Sequence, residues 1–155
     1  MNIRRRAFLK GILATGGAMA LGTTLLPQSV MAEWPTSAFD AETTEDALKA
    51  LFENGASAEE SDKVIIKAED KAENGAVVPV EITANLPKVE SITIFSEGNP
   101  IPLIGQFTFG ENADAWVKTR IKMAESSNVV AIVKADGKLY KASKAIEVTS
   151  GGCAG

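Results

Sequence analysis

One residue in this chain combines a nucleophile's chemistry with the placement of a handle. It is Cys153, in the terminal run Gly151-Gly152-Cys153-Ala154-Gly155, and it is the sole cysteine of 155 residues. A structural cysteine packs as a small hydrophobe within a strand or helix. Between glycines at a chain end, packing is minimal and backbone freedom maximal. Nothing in the tail activates the thiol, and near the terminal carboxylate it is expected to titrate at about 8.5 or slightly above, leaving only a few per cent thiolate near neutrality. Such a group is a poor catalyst alone and a good covalent attachment point for partner enzymes that supply the activation. Extended chain from Thr149 to Cys153 spans on the order of 15–18 Å, enough to carry the sulfur into a buried pocket of another protein. The plain alternative is an exposed terminal cysteine of no consequence.

The rest of the chain offers little other chemistry. It has no histidine, so serine–histidine and cysteine–histidine nucleophiles are excluded, as are clustered imidazole or thiolate metal ligands. No catalytic residue, metal site or cofactor is therefore assigned. Glu59-Glu60 and Glu69-Asp70 lie in polar stretches and read as solvated. Arg120 and Lys122 could attract an anion or line an interface, although a solvated face is the simpler expectation.

The N-terminus has the pattern of an export signal. Arg4-Arg5-Arg6-Ala7-Phe8-Leu9-Lys10 is followed by a mildly apolar run, Gly11 to Leu26, and by small residues at Val30-Met31-Ala32. Such a segment is set apart from the fold, with cleavage expected before Glu33. The pair Arg5-Arg6 and the weak hydrophobicity resemble a twin-arginine signal, which exports proteins already folded. The expectation is a periplasmic protein with no stable membrane insertion after cleavage. With no cofactor to be loaded beforehand, assembly with a second subunit is the remaining reason for folding before export.

Removal of residues 1–32 leaves 123 residues, a comfortable size for one core. Four of the 16 basic residues and none of the 20 acidic ones go with it, moving the net charge from −4 to −8. That balance argues against nucleic acid and anionic lipid as partners.

The elements that must position the tail follow from patterning. Thr43 and Asp46 form a capping box. Ala47, Leu48, Leu51 and Phe52 share a helical face, and Asn54-Gly55 closes the helix. Short strands follow: Val64–Ile66; Val77–Thr83, with Pro79 expected at an edge or bulge; and Ser91–Phe95. Next come Ile101–Phe109, with Leu103, Phe107 and Phe109 in the core, and Trp116–Met123, which alternates. Val129–Val133 turns through Asp136-Gly137, the preferred hairpin pair, into Leu139–Ala142. A separate last strand, Ala145–Val148, releases the arm. Six to eight short strands predict an antiparallel β-sandwich with one short helix. The domain boundaries are then 1–32 for the signal, 33–149 for the sandwich and 150–155 for the arm.

Several runs resemble the SoxY family, the sulfur-carrying subunits of the periplasmic thiosulfate-oxidising system. They are Asp46-Ala47-Leu48-Lys49-Ala50-Leu51-Phe52, Glu73-Asn74-Gly75-Ala76-Val77-Val78-Pro79-Val80, Leu86-Pro87-Lys88-Val89-Glu90-Ser91-Ile92, Thr119-Arg120-Ile121-Lys122-Met123-Ala124 and the hairpin Val133 to Tyr140. The family's usual ending is Gly-Gly-Cys-Gly-Gly, and Ala154 stands here for its fourth residue. The resemblance implies an immunoglobulin-like sandwich with Cys153 as the carrier cysteine and Gly151, Gly152, Ala154 and Gly155 as its arm. It also implies a SoxZ-like subunit as partner, in a heterodimer or heterotetramer. A c-type cytochrome, SoxXA, joins thiosulfate to the sulfur; SoxB removes sulfate; and a sulfane dehydrogenase oxidises the remaining sulfur. A reading from another class is a structural or adhesive sandwich whose tail cysteine makes intermolecular disulfides. A ubiquitin-like thiocarboxylate carrier is disfavoured, because Gly151-Gly152 is internal.

Overall fold

The computed structural model describes residues 35–52 and 57–149. Two helices come first, α1 (Thr36–Phe39) and α2 (Thr44–Leu51), followed by nine strands. These are β1 (Glu59–Glu60), β2 (Val64–Ala68), β3 (Lys71–Ala72), β4 (Val78–Ala84), β5 (Val89–Ser96), β6 (Leu103–Thr108), β7 (Trp116–Ile121), β8 (Ser127–Ala135) and β9 (Lys138–Val148). The expected two-layer β-sandwich is what forms. A larger sheet runs β1-β9-β8-β5-β6, with β3 also on β9, and a smaller one runs β2-β4-β7.

Side-chain alternation explains the layering. On β4, Val78, Val80, Ile82 and Ala84 point inward and, with Val117 and Ile121 of β7, meet Ile92, Ile94, Val129, Ala131 and Val133 of the larger sheet. Each fully buried Val or Ile contributes about 1.5–3 kcal/mol relative to exposure. The larger sheet is covered on its other face too: Phe95, Leu103, Val130, Ile132 and Leu139 pack under Ala38, Ala41, Ala47, Leu48 and Leu51. Burial from both sides is why Val129–Val133 reads as an unbroken apolar run.

The capping box at α2 forms as expected: Thr43 Oγ1 accepts the Asp46 N–H at 3.1 Å and donates to Asp46 Oδ2 at 2.8 Å. Its expected stop, Asn54-Gly55, lies outside the described residues. The hairpin turn also holds, with Asp136 (φ 48°) and Gly137 (φ 73°) both in the left-handed region that this turn requires.

Four expectations need correction. Pro79 lies within the central strand of the smaller sheet; it is tolerated because the β2 ladder ends at Ala68↔Val80, leaving only β7 beside it. Phe107 is 38% exposed, because β6 is an edge strand and its outer half, Gln106 to Thr108, faces away from the described core. The two strands expected after the hairpin are one, β9, which pairs with β8 without interruption from Lys138 to Ile146. Lastly, the sandwich is not wholly antiparallel, since β1 and β3 are two-residue strands running parallel to β9. The second of these, β3, lies in the charged stretch between Asp70 and Gly75.

Candidate functional site: the root of the C-terminal arm

Cys153 and its neighbours Gly151, Gly152, Ala154 and Gly155 lie outside the described residues, as do Arg5 and Arg6 of the expected signal. What the structure supplies is the platform from which residues 150–155 depart. β9 is held on both sides to its last residue. On one side Glu147 donates its N–H to the Asp70 carbonyl at 2.8 Å and Thr149 donates to the Ala72 carbonyl at 3.0 Å, flanking the β3 pairing Lys71↔Glu147 and Ala72↔Val148. On the other, Ser126 Oγ accepts the Val148 N–H at 2.8 Å and returns a bond to the Val148 carbonyl at 3.4 Å. An edge left open here would let the last turn of strand fray. Ala72, buried in the main core, ties β3 itself to the sandwich.

Two ion pairs frame the same segment, Lys144–Asp70 at 2.7 Å and Lys71–Glu147 at 3.5 Å. Asp70 and both members of the second pair are largely exposed, so neither pair adds much to stability; the backbone bonds set the geometry. The Lys144 ammonium, by hydrogen bond and then by charge, holds the Asp70 carboxyl below its usual range.

Among the described residues no cluster of acidic, histidine or cysteine side chains could hold a metal. The resolved shifts, at Asp46, Asp70, Glu81 and Glu90, are all lowerings caused chiefly by hydrogen bonds and nearby lysines. A general acid needs the opposite, a carboxyl pushed up toward neutrality. Glu59, Glu60 and Glu69 are exposed as expected. Arg120 and Lys122 are exposed as well, and neither has an ion pair among the described residues.

A cleft of about 590 Å³ opens between Lys88, Glu90, Phe109 and Asp136. It sits at the hairpin end of β9, and the strand's ten-residue run to Val148 puts it roughly 33 Å from the root.

Sequence reasoning missed the clamp formed by Ser126, Asp70 and Ala72. The signal was faint: a two-residue parallel strand has no periodicity, and one serine between turns looks like any loop serine.

The family model described as sulfur oxidation protein SoxY matches residues 48–153. Among solved structures, the sulfur carrier protein SoxY from Chlorobium limicola f thiosulfatophilum is 36% identical, with a TM-score of 0.64. That match covers 74% of this chain and 99% of that one. A superoxide reductase (neelaredoxin) from Ignicoccus hospitalis T24K is 22% identical at TM-score 0.50, covering 56% of this chain and 79% of that one, a likeness of fold alone. No curated protein matches the chain.

Proposed function

Starting from the chain's membership of the SoxY family of sulfur oxidation proteins, we propose that it is a periplasmic carrier holding thiosulfate-derived sulfur on Cys153. The sulfur-carrier role follows the family. The observation that supports placing the cargo on this residue is the extent of the family match, which runs through the sandwich and ends on Cys153. A clamped strand followed by a short glycine-bracketed arm suits that role, because the root stays fixed while the thiol is presented.

The chemistry needs nothing from the sandwich beyond presentation. Joining thiosulfate to the thiol forms an S–S bond and releases one proton and two electrons, which a SoxXA-type cytochrome takes. Water then attacks the terminal sulfone sulfur at a SoxB-type hydrolase, sulfate leaves, and a persulfide remains on Cys153. A sulfane dehydrogenase oxidises that sulfur further. A SoxZ-like subunit accompanies the chain, and residues 1–32, with Arg5-Arg6, export the pair folded. The divisions 33–149 for the sandwich and 150–155 for the arm complete the proposal. On this reading the chain is a substrate of enzymes and not an enzyme.

Intact-mass analysis of protein from thiosulfate-grown cells tests it. Adducts of sulfur and sulfite mass are expected on the native chain and absent from Cys153→Ser. Only unmodified thiol under turnover, or disulfide-linked dimers with normal sulfur oxidation in Cys153→Ser, would refute it in favour of the structural reading.

A further inference from the structure

The outer face of the smaller sheet has a charge opposite to that of the molecule around it. Register and alternation put Lys67 of β2 and Lys118 and Arg120 of β7 on this face. Lys122 joins them just past β7, between the buried Ile121 and Met123. Glu81 at the centre and Glu69 at the corner are the acidic members, so the face stands at +2. Residues 33–155 carry 12 basic and 20 acidic side chains, which leaves eight against 18, or −10, everywhere else. Glu81 is already engaged. Its carboxylate lies 3.3 Å from the Lys67 ammonium and 3.6 Å from that of Lys118, and the Trp116 indole N–H is bonded to it. Arg120 and Lys122 have no ion pair among the described residues.

Apolar surface accompanies the charge. The register runs Ile65↔Thr83 and Thr83↔Trp116, so Ile65 and the half-exposed Trp116 flank Thr83 at one end of the face. Val77, immediately before β4, is exposed at the other. These are three of the five large apolar side chains left exposed among the described residues, gathered where the cations are. The helices cover the larger sheet instead. Tryptophan and arginine on one rigid strand are the side chains that most often dominate protein interfaces. The cationic end is also tied to the root of the arm. Asn99 Nδ2 donates to the Lys122 carbonyl at 2.9 Å, Asn99 Oδ1 accepts the Ala124 N–H at 2.8 Å, and Met123 donates to the Gly75 carbonyl at 2.7 Å. Ser126, which holds Val148, follows Lys122 by four residues, at most about 14 Å of chain. A protein seated against Arg120 and Lys122 therefore stands beside the point where residues 150–155 begin.

We propose that this face is a docking surface for an acidic patch on the enzymes that act on Cys153. The proposal rests on the carrier reading and adds to it where those enzymes land. Charge selects the occupant. A second copy seated face to face would set cations against cations. An anionic bilayer would extend past the face and meet the −10 of the remaining surface, which repels it; a protein patch is bounded and need not. Complementary charge speeds the encounter and fixes its register, while burial of Trp116 sets how long the contact lasts.

The test measures loading by a SoxXA-type cytochrome and sulfate release by a SoxB-type hydrolase against the concentration of the full chain with its SoxZ-like subunit. Arg120→Glu with Lys122→Glu should raise KM about tenfold for at least one enzyme, leaving kcat and the melting curve unchanged. Native kcat/KM should fall several-fold between roughly 25 and 300 mM salt, and that of the double variant should not. Arg120→Lys should keep most of the native rate. Trp116→Ala should raise KM without altering the salt dependence, and Lys138→Glu, a sign change at the far hairpin, should alter neither. Unchanged KM and salt dependence in the double variant with both enzymes would overturn the proposal. So would its failure to hold the SoxZ-like subunit, or binding of the native chain to phosphatidylglycerol vesicles through Arg120 and Lys122. Absence of any sulfur adduct on the native chain would refute the carrier reading itself and take the proposal with it.

Discussion

Ser126 and Val148 face each other across the end of the sandwich, the serine Oγ accepting the valine N–H at 2.8 Å one residue before the last described position. That contact makes a connector between β7 and β8 part of the machinery that fixes the arm's origin. Replacing Ser126 with Ala leaves the Val148 N–H without its partner. The expected loss is about 1 kcal/mol of unfolding free energy, read from a denaturant midpoint. Amide exchange should accelerate at Val148 and not at Ala142, which pairs with Ala131 in the middle of the β8 ladder. Equal acceleration at both would mean that Ser126 supports the fold generally and not the root.

Cys153→Ser should separate carriage from folding. The residue lies past the clamp, so the melting temperature is expected to stay within error of the native chain while sulfur loading falls to background. A clear loss of stability would place the tail within the fold and contradict a presented thiol.

Gly98 and Gly137 test two different needs for glycine. A Cβ at Gly98 would lie 2.8–2.9 Å from Glu125 Cγ and from Ser127 Cβ and Oγ. Ser127 opens β8, so its Cβ cannot move freely; Gly98→Ala is expected to cost about 1–3 kcal/mol by overpacking. Gly137 has open space around it but φ 73°, so Gly137→Ala costs only the left-handed backbone, about 1–2 kcal/mol. Thermal melts of Gly98→Ala and Gly98→Ser should worsen with side-chain size, whereas Gly137→Asn should recover part of the Gly137→Ala loss.

The acid dependence has a fixed sign. Glu81 is held below its ordinary 4.5 by the Trp116 indole N–H first and then Lys67, and Glu90 by Lys134 and the Gly137 backbone N–H. Asp70 is held below 3.8 by Lys144, and Asp46 below 3.8 by the Thr43 hydroxyl and Lys49. Groups with depressed folded pKa values stabilise above the unfolded value and lose that contribution as pH falls through the folded one. Stability should therefore be level over about pH 5–7 and decline below about 4.5, and Asp70→Asn should flatten the lower part of that decline. Denaturant midpoints across the range check both. A decline beginning near neutrality would point to some other group.

Much of the fold was legible because the patterns were local. Thr43 and Asp46 are three residues apart, Asp136-Gly137 is a self-contained turn, and the Trp116–Met123 alternation needs no knowledge of its neighbours. Phe107 was misplaced because hydrophobicity does not say whether a strand is central or at the rim. Pro79 was placed at an edge that turned out to be local, since only the register shows that β2 stops short of it. The break expected within β9 fell at Ser143-Lys144, which together with Lys141 make that stretch polar. They are tolerated because the outer strand region of the larger sheet leaves Ser143 exposed and Lys141 and Lys144 half-buried beside Glu60 and Asp70. For the candidate site, sequence pointed to Cys153 and was silent on its anchorage, which depends on contacts between residues more than 20 positions apart.

The continuity of β9 has a mechanical consequence. A pull applied to the end of β9 along the strand axis would load its nine β8 pairs, from Lys138↔Ala135 to Ile146↔Ser127, together. The same force applied crosswise would break those pairs one after another, like a zip. On the proposed carrier role, lengthwise loading of β9 is the direction in which its mounting best resists tearing.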